Sequence, residues 1–249
     1  MGKRLRPQRR GKGTFAYSAP SHKYKANVRF RKLDELEELN VIGASVMEFI
    51  DDPGRSSLLM MLKLDNGEKL MLIAPEGIQV GDRVEIGAGA GVSLGNVLPL
   101  SSIPDGAPVF NLELAPGDGG KFVRASGTSA TVVSREGANV IIKLPSKRML
   151  TFGAQCRAQL GVVAGGGALE KPLMTAGKSH YKHHAQNRTW PYVRGVAMNA
   201  VAHPHGGKQH HVGKGTAVSR NAPPGQKVGH IAARSTGRRK GKKIMNEQE

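Results

Sequence analysis

The chain has a single cysteine, Cys156, among its 249 residues, so an intramolecular disulfide framework is excluded. Such sparse use of cysteine fits a reducing compartment, and we expect a cytoplasmic protein in which Cys156 is a small buried hydrophobic side chain. Aromatic residues make up 4% of the chain, too few for a large aromatic core. No segment approaches the roughly 18 apolar residues of a membrane span, and the basic start has no apolar stretch typical of secretion signals. We therefore expect neither membrane insertion nor secretion.

Acidic residues are almost absent from both ends of the chain. Lys and Arg outnumber Asp and Glu by 11 to 0 over residues 1–32 and by 15 to 2 over 171–249, whereas residues 33–170 hold 11 basic and 17 acidic side chains. Like charges at this density repel each other unless a polyanion neutralises them, and both ends have too few apolar residues to fold alone. The pattern predicts nucleic acid as the folding partner of two extended arms. A disordered solubilising tail is the alternative for residues 1–32.

The chain contains 33 glycines and 14 prolines, a composition that favours short strands and turns over long helices. Asp65-Asn66-Gly67 predicts a tight hairpin turn, because Asn and Gly tolerate a positive φ. Alternating apolar residues predict a first set of strands at Gly43–Ile50, Ser57–Leu64, Glu68–Ala74 and Asp82–Ile86. A second set is predicted at Val109–Leu114, Ser129–Ser134, Asn139–Leu144, Arg148–Phe152 and Cys156–Val163. The two sets indicate two small barrels, and the Gly- and Pro-rich residues 87–109 indicate a crossing between them.

These patterns predict four segments: a basic arm over residues 1–32, barrels over 33–90 and 91–170, and a basic extension rich in Gly and His over 171–249. The first barrel opens with an acidic stretch in which Leu33, Leu36 and Leu39 recur every third residue. A short helical turn and a solvated loop both satisfy that stretch.

Enzymatic chemistry is poorly supported. Gly177-Lys178-Ser179 matches the end of a phosphate-binding loop, but Pro172 replaces the first glycine of that motif. Seven of the nine histidines lie between residues 180 and 211, where no Asp or Glu is present to orient an imidazole. Structural zinc sites usually need cysteine partners, so phosphate contact explains the histidines better. We predict no catalytic residue, no metal and no cofactor; a metal-dependent enzyme and a free-standing nucleic-acid module are the alternative functions.

Basic, aromatic and glycine residues are interleaved in both arms. Glycine lets backbone amides approach phosphates, arginine pairs with phosphates or stacks on bases, and aromatic rings cover unstacked bases. In the N-terminal arm Tyr17, Tyr24 and Phe30 suit such stacking between cations. Trp190, in the C-terminal extension, either covers a base or anchors the extension onto the second barrel. Together these features predict RNA held on several sides.

Four long blocks, in order along almost the whole chain, resemble one family. The blocks are RGKGTFAYSAPSHKYKANVRFRK (Arg10–Lys32), LAPGDGGKFVRASGTSA (Leu114–Ala130), WPYVRGVAMNAVAHPHGG (Trp190–Gly207) and SRNAPPGQKVGHIAARSTGR (Ser219–Arg238). The chain is similar here to the universal large-subunit ribosomal protein number two family in its archaeal form. The resemblance implies a mainly β fold, with an oligonucleotide-binding (OB) barrel followed by an SH3-like barrel and both basic extensions threaded into large-subunit rRNA.

The resemblance also implies a function and partners. It implies a structural, primary rRNA-binding protein of the cytoplasmic ribosome that supports subunit association and assembly of the peptidyl-transferase centre. The implied partners are large-subunit rRNA, other ribosomal proteins and the small subunit through an intersubunit bridge, with no small-molecule substrate. Many relatives have an acidic residue where this chain has Ala202, so an acid–histidine mechanism is not expected, and His203 is interpreted as structural or RNA-contacting.

The predicted RNA-binding residues come from two sources. The family block places at the rRNA-facing loop Arg194, Gly195, Met198, Asn199, His203, Pro204, Gly206 and Gly207. The basic and aromatic pattern adds Arg4, Arg6, Arg9, Arg10, Lys12, Tyr17, His22, Lys23, Lys25, Lys121, Arg124, Lys178, Lys182, Arg188, Trp190, His205, Lys208, Arg220, Arg234, Arg238 and Arg239.

Overall fold

A computed structural model describes residues 2–34, 37, 40–213 and 215–234. The chain divides into two compact units, Pro20–Lys178 and the pair Met1–Ala19 with Ser179–Glu249. We call the described part of the first the barrel unit and that of the second the tail unit. Sequence composition predicted a basic arm at each end of the chain, and in the structure the described residues of 2–19 and 179–234 belong to one unit.

The first half of the barrel unit is antiparallel, with the fourth strand paired to the first rather than to the third. Its strands are β1 (Ile42–Ile50), β2 (Leu59–Leu64), β3 (Lys69–Ile73) and β4 (Arg83–Ile86). All four predicted strands are confirmed, and so is the hairpin turn between β2 and β3. In that turn Gly67 has a φ of +87° and its amide donates to the carbonyl of Leu64 at 2.9 Å.

The second half contributes six further strands to the same sheet. They are β5 (Val97–Pro99), β6 (Pro108–Phe110), β7 (Ala130–Glu136), β8 (Asn139–Lys143), β9 (Met149–Gly153) and β10 (Arg157–Leu160). The strand order is β3-β2-β1-β4-β5-β10-β6-β7-β8-β9. Sequence reasoning missed β5, which lies inside the presumed crossing and joins the halves through the parallel pair Ile86–Val97 and antiparallel pairing with β10. The predicted mainly β fold is confirmed.

Three apolar clusters hold the barrel unit together. One fills the first half around Leu62 and Leu72, and another fills the second half around Ile103 and Val140. A third packs residues of both halves together: Val28, Leu59, Ile73, Phe110 and Val163. Burial of such side chains is the main stabilising term of a β fold.

Phe30 and Cys156 both lie in the apolar core. Phe30 was interpreted as a base-stacking residue, but this is wrong: its ring is 6% exposed and packs in the cluster of the first half. Composition placed Phe30 in the basic arm because cations flank it on both sides. A count of charges cannot show that one side chain among them is buried. Cys156 is 1% exposed, as predicted, and burial raises the pKa of its thiol.

The acidic stretch before β1 contains a buried carboxylate. Glu37 is 2% exposed and accepts a hydrogen bond from Arg157 Nη1 at 2.5 Å. Arg157 also donates from Nη2 to Glu113 Oε1 at 2.7 Å, so one guanidinium serves two buried glutamates. Glu37 is therefore not part of a solvated loop, while Leu36 and Leu39 of the predicted pattern lie outside the described residues.

The tail unit has little regular structure. It contains α1 (Arg6–Gly11), most of α2 (Ala176–Ala185) and a parallel strand pair, β11 (Ala217–Val218) and β12 (His230–Ile231). The described residues of both units form single 3₁₀ turns at Phe15–Tyr17, Ser21–Lys23, Leu100–Ser102, Gly166–Leu169 and Gly195–Ala197. In the part of the chain that the structure describes, no helix has the length and apolar character of a membrane span.

Candidate RNA interface

The tail unit carries cations without internal counter-charges. Its described residues contain 13 Lys and Arg side chains and no Asp or Glu. All ion pairs between described residues lie instead in the barrel unit, between Arg31 and Arg157 in sequence. Cations that no carboxylate neutralises produce a positive potential that attracts polyanions. The cations of the tail unit are Lys3, Arg4, Arg6, Arg9, Arg10, Lys12, Lys182, Arg188, Arg194, Lys208, Arg220, Lys227 and Arg234.

Hydrogen bonds to backbone carbonyls, rather than a core, link the described residues near the two chain ends. The amide of Lys3 donates to the carbonyl of Val201 at 2.7 Å, and Asn187 Nδ2 donates to the carbonyl of Tyr17 at 2.5 Å. Among the described side chains of this unit, Leu5 is the sole fully buried apolar one, at 6% exposure. A unit with so little apolar burial gains little stability from its own packing. This finding agrees with the prediction that the ends are too poor in apolar residues to fold alone.

Helix α1 presents the N-terminal arginines. Pro7 lies in its first turn. Backbone amides in the first turn of a helix have no hydrogen-bond acceptor within that helix, so a proline there removes no hydrogen bond. The side chain of Gln8 reaches back and accepts from the amide of Leu5 at 2.8 Å. Arg9 and Arg10 occupy the last turn and are exposed, so their guanidinium groups face solvent.

Trp190 packs against α2 through histidine rings. It stacks on His183 with 6.0 Å between ring centroids and an interplanar angle of 23°, and meets His180 edge-on at 6.5 Å. His183 is itself fixed, because its Nδ1 lies 2.6 Å from the carbonyl oxygen of Ser179. The described ring contacts of Trp190 are thus internal to the tail unit, and the residue is half-buried.

The family block of the sequence forms a closed loop over residues 194–207. The amides of Ala202 and His203 donate to the carbonyl of Asn199 at 2.9 and 3.1 Å, and the amide of Gly207 donates to the carbonyl of Met198 at 2.9 Å. Gly206 is buried, and a Cβ at this position would collide with the carbonyl oxygens of Met198 and Asn199. The structure therefore brings these predicted site residues together.

His203 is an internal support of this loop. Its ring lies so close to Gly195 that a Cβ there would overlap ring atoms, and its Nδ1 accepts from the amide of His205 at 3.1 Å. Burial, and secondarily the nearby His205, lowers the pKa of His203. The ring is consequently neutral at physiological pH, as an acceptor nitrogen requires.

The barrel unit uses some of its predicted RNA-binding cations internally. Arg124 donates to the carbonyls of Gly120 and Val28 at 2.9 and 3.0 Å, and burial lowers its pKa, with Arg55 and Arg29 adding repulsion. Three arginines therefore lie close together here. Neither Arg29 nor Arg55 was among the predicted residues, although Arg29 lies in the first family block.

An ion pair between Lys121 and Asp118 lies in the loop after β6. Lys121 Nζ lies 3.1 Å from Asp118 Oδ2, and Asp118 also accepts from the amides of Leu114, Ala115 and Gly120. Burial would raise the pKa of Asp118, but these bonds outweigh it and lower the pKa.

The predicted residues divide between the two units. The barrel unit contains His22, Lys23, Lys25, Lys121, Arg124 and Lys178. The tail unit contains Arg4, Arg6, Arg9, Arg10, Lys12, Tyr17, Lys182, Arg188, Trp190, Arg194, Gly195, Met198, Asn199, His203, Pro204, His205, Gly206, Gly207, Lys208, Arg220 and Arg234. Arg238 and Arg239 lie outside the described residues. Lys3, Tyr192 and Lys227 of the tail unit were not predicted, although two of them lie in family blocks.

A metal centre has no geometric support within the described ranges. No group of three or more His, Cys, Asp or Glu side chains is placed there to hold an ion.

Two family models together match most of the chain. Residues 2–86 match the family model "Ribosomal Proteins L2, RNA binding N-terminal domain", and residues 93–228 match "Ribosomal Proteins L2, C-terminal domain". These domains agree with the expected OB-fold barrel followed by an SH3-like barrel.

Relatives match over nearly their whole length. The large ribosomal subunit protein uL2 of Methanococcus vannielii is 51% identical over 96% of this chain and 100% of its own. That of Methanocaldococcus jannaschii is 50% identical, again over 96% of this chain and its own full length. On these matches, this chain belongs to the ribosomal protein L2 family.

Proposed function

We propose that this protein is a structural constituent of the large ribosomal subunit and that the tail unit supplies most of its affinity for rRNA. The observation that carries the proposal is the charge of the tail unit, 13 cations without a carboxylate among its described residues. RNA neutralises such cations with phosphates and releases bound counterions, which drives association. The family's RNA-binding domain and the names of its archaeal relatives support the same function.

The protein works in the cytoplasm as part of the ribosome, as a structural component rather than an enzyme. The finer parts of the proposal are contacts with other ribosomal proteins, an intersubunit bridge to the small subunit, and support of subunit association and of the peptidyl-transferase centre. Family resemblance supports these parts. The neutral, internally bonded His203 also fits a scaffolding role, in which rRNA performs the chemistry.

The test is the salt dependence of binding to purified large-subunit rRNA. Each neutralised phosphate contributes roughly −0.7 to −0.9 to the slope of log K against log salt. Replacing five exposed cations of the tail unit by glutamine is therefore expected to flatten the slope by about 3.5 to 4.5. The five are Lys3, Arg4, Arg9, Arg10 and Lys12.

A matched control removes the same charge from the barrel unit. Five exposed cations that were not predicted to bind RNA serve for this variant: Lys63, Lys69, Lys143, Lys147 and Arg148. This variant should change the slope of log K against log salt by less than about 0.9, the contribution of one neutralised phosphate. Equal flattening in both variants would refute the assignment of affinity to the tail unit. Preferential recovery of the parent chain with DNA would refute the ribosomal function.

A further inference from the structure

The tail unit contains a cavity of about 300 Å³ between α1 and two segments of the C-terminal extension. Three cations line it, Arg6 and Arg9 from α1 and Lys227 from the turn before β12. This volume is at the lower end of the range for small-molecule pockets, about 300–1,000 Å³. It therefore admits one flat ring system with part of an attached polar group.

The other walls of the cavity are apolar and aromatic. Leu5, Met198 and Val228 line it together with Tyr192, whose side chain is 78% exposed. A flat apolar ligand would cover part of this exposed ring. Aromatic rings at the mouth of a cavity typically bind by offset or edge-to-face stacking.

Arg6 has an unused donor at this site. Its guanidinium carbon lies 5.1 Å from the centroid of the Tyr192 ring, a cation–π arrangement. Its Nη1 is buried and has no hydrogen-bond partner among the described residues. A buried charged donor without an acceptor is unfavourable, so the site lacks one acceptor that a ligand would supply.

We propose that this cavity receives a single unstacked nucleotide of rRNA, with its base on Tyr192 and its phosphate near Arg6, Arg9 and Lys227. A nucleotide combines the two properties that the cavity selects, a flat apolar ring and an anionic, acceptor-rich group. No carboxylate in the described tail unit opposes an anion there. The inference rests on the proposed function, because it assigns one contact within that rRNA interface.

The experiment compares base reactivity in complexes of full-length chain and purified large-subunit rRNA. Chemical probes that modify exposed Watson–Crick edges report each nucleotide separately. We expect one nucleotide to be protected by the parent chain and by Tyr192→Phe. Tyr192→Ala and the cavity-filling Ala202→Leu should expose that nucleotide while leaving other protections unchanged. Tyr192→Ala should also weaken binding about tenfold, within the range for loss of one stacked base.

A matched pair of variants separates the pocket from simple charge loss. Arg6 and Arg10 both lie on α1, but only Arg6 lines the cavity. Arg6→Gln and Arg10→Gln remove the same charge, so both should weaken binding, whereas only Arg6→Gln should expose the nucleotide. Identical footprints for Arg6→Gln, Tyr192→Ala and the parent chain would overturn the proposal while leaving rRNA binding intact. Absence of rRNA binding by the parent chain would instead refute the proposed function.

A free nucleotide offers the same chemistry as a nucleotide within the RNA chain. An excess of the four nucleoside 5′-monophosphates should therefore leave the protected position unchanged, because the RNA ligand is held by many neighbouring phosphate contacts. Selective loss of that one protection on adding monophosphates would assign the cavity to free nucleotides and overturn the RNA assignment.

Discussion

Replacing Arg157 by methionine removes the cation that two buried carboxylates share. Arg157 lies 2.5 Å from Glu37 and 2.7 Å from Glu113; both glutamate side chains are 0% exposed and that of Arg157 is 4% exposed. Arg157 Nη1 also donates to the carbonyl of Arg31 at 2.9 Å. Removing one partner of a buried ion pair costs about 3–5 kcal/mol, because the remaining charge is left without compensation. We expect R157M to lower the free energy of unfolding by this amount at neutral pH.

The loss should depend on pH in a defined direction. Burial raises the pKa of Glu37 above its usual 4.5, while Arg157 and then Arg31 oppose that rise. Without Arg157 the opposition weakens, so the folded-state pKa of Glu37 rises further. A carboxyl group with a raised pKa favours the folded state below its usual pKa and loses this contribution as the pH rises. The deficit of R157M relative to the parent chain should therefore be smaller near pH 4.5 than at pH 7.

Urea unfolding followed by far-UV circular dichroism measures this deficit. Trp190 lies in the tail unit, so its fluorescence would not report on the barrels. The matched control is R135M, which breaks the pair of Arg135 with Asp105 at 3.3 Å, where the side chains are 41% and 50% exposed. An exposed pair contributes at most about 1 kcal/mol. The reasoning is refuted if R157M costs no more than R135M, or if its deficit does not shrink on acidification.

Three further predictions concern the loops. G206A should strain the loop at Met198 and Asn199 by about 1–3 kcal/mol and weaken rRNA binding at least fivefold in a filter-binding assay. D118N should lower the free energy of unfolding in urea by about 1 kcal/mol at neutral pH, and by less below pH 3.8. The reason is that a carboxylate whose folded-state pKa is lowered stabilises the fold fully above its usual pKa of 3.8 and loses this contribution as the pH falls through the lowered pKa. G67A should cost about 1–2 kcal/mol in urea unfolding, since it places a Cβ on a residue with φ of +87°.

Each of these predictions has an outcome that would contradict it. G215A places a Cβ in open space, so an equal loss of rRNA binding in G215A and G206A would remove the steric explanation. A cost for D118N that stays constant below pH 3.8 would show that its charge is not the cause. At Gly67 a Cβ meets no atom within 4 Å, so a stability equal to the parent chain would show that this turn accommodates alanine without strain.

Strands and tight turns could be predicted because their signals are local. The alternation of β1 and the Asn66-Gly67 turn both arise from neighbouring residues, and the structure has them where the sequence indicated. Strand β5 was missed because it has three residues, ends at Pro99 and follows four glycines between residues 87 and 95. Its position depends on pairing with β10, about 60 residues later, which no local pattern encodes.

The loop of the candidate site could be predicted only through family resemblance. Its closure depends on carbonyl and amide groups, such as the bond from Gly207 to Met198, which every residue type carries. The same holds for the meeting of the chain ends, where Lys3 bonds to the backbone of Val201. Charge counting found the basic character of these segments, but backbone hydrogen bonds between distant segments have no signature in composition.

The proposed function assigns stability and RNA affinity to different units. The barrel unit has three apolar clusters and neutralises buried charge internally, as at Arg157, so its fold needs no polyanion. Among its described residues, the tail unit buries one apolar side chain, Leu5, and pairs no cation with a carboxylate, so the proposal assigns the missing counter-charge to RNA. It follows that R157M should lower stability without changing the slope of log K against log salt for the folded protein. Removing charge from residues 3–12 should flatten that slope while leaving barrel unfolding in urea unchanged, and a variant of either kind that altered both quantities would contradict this division.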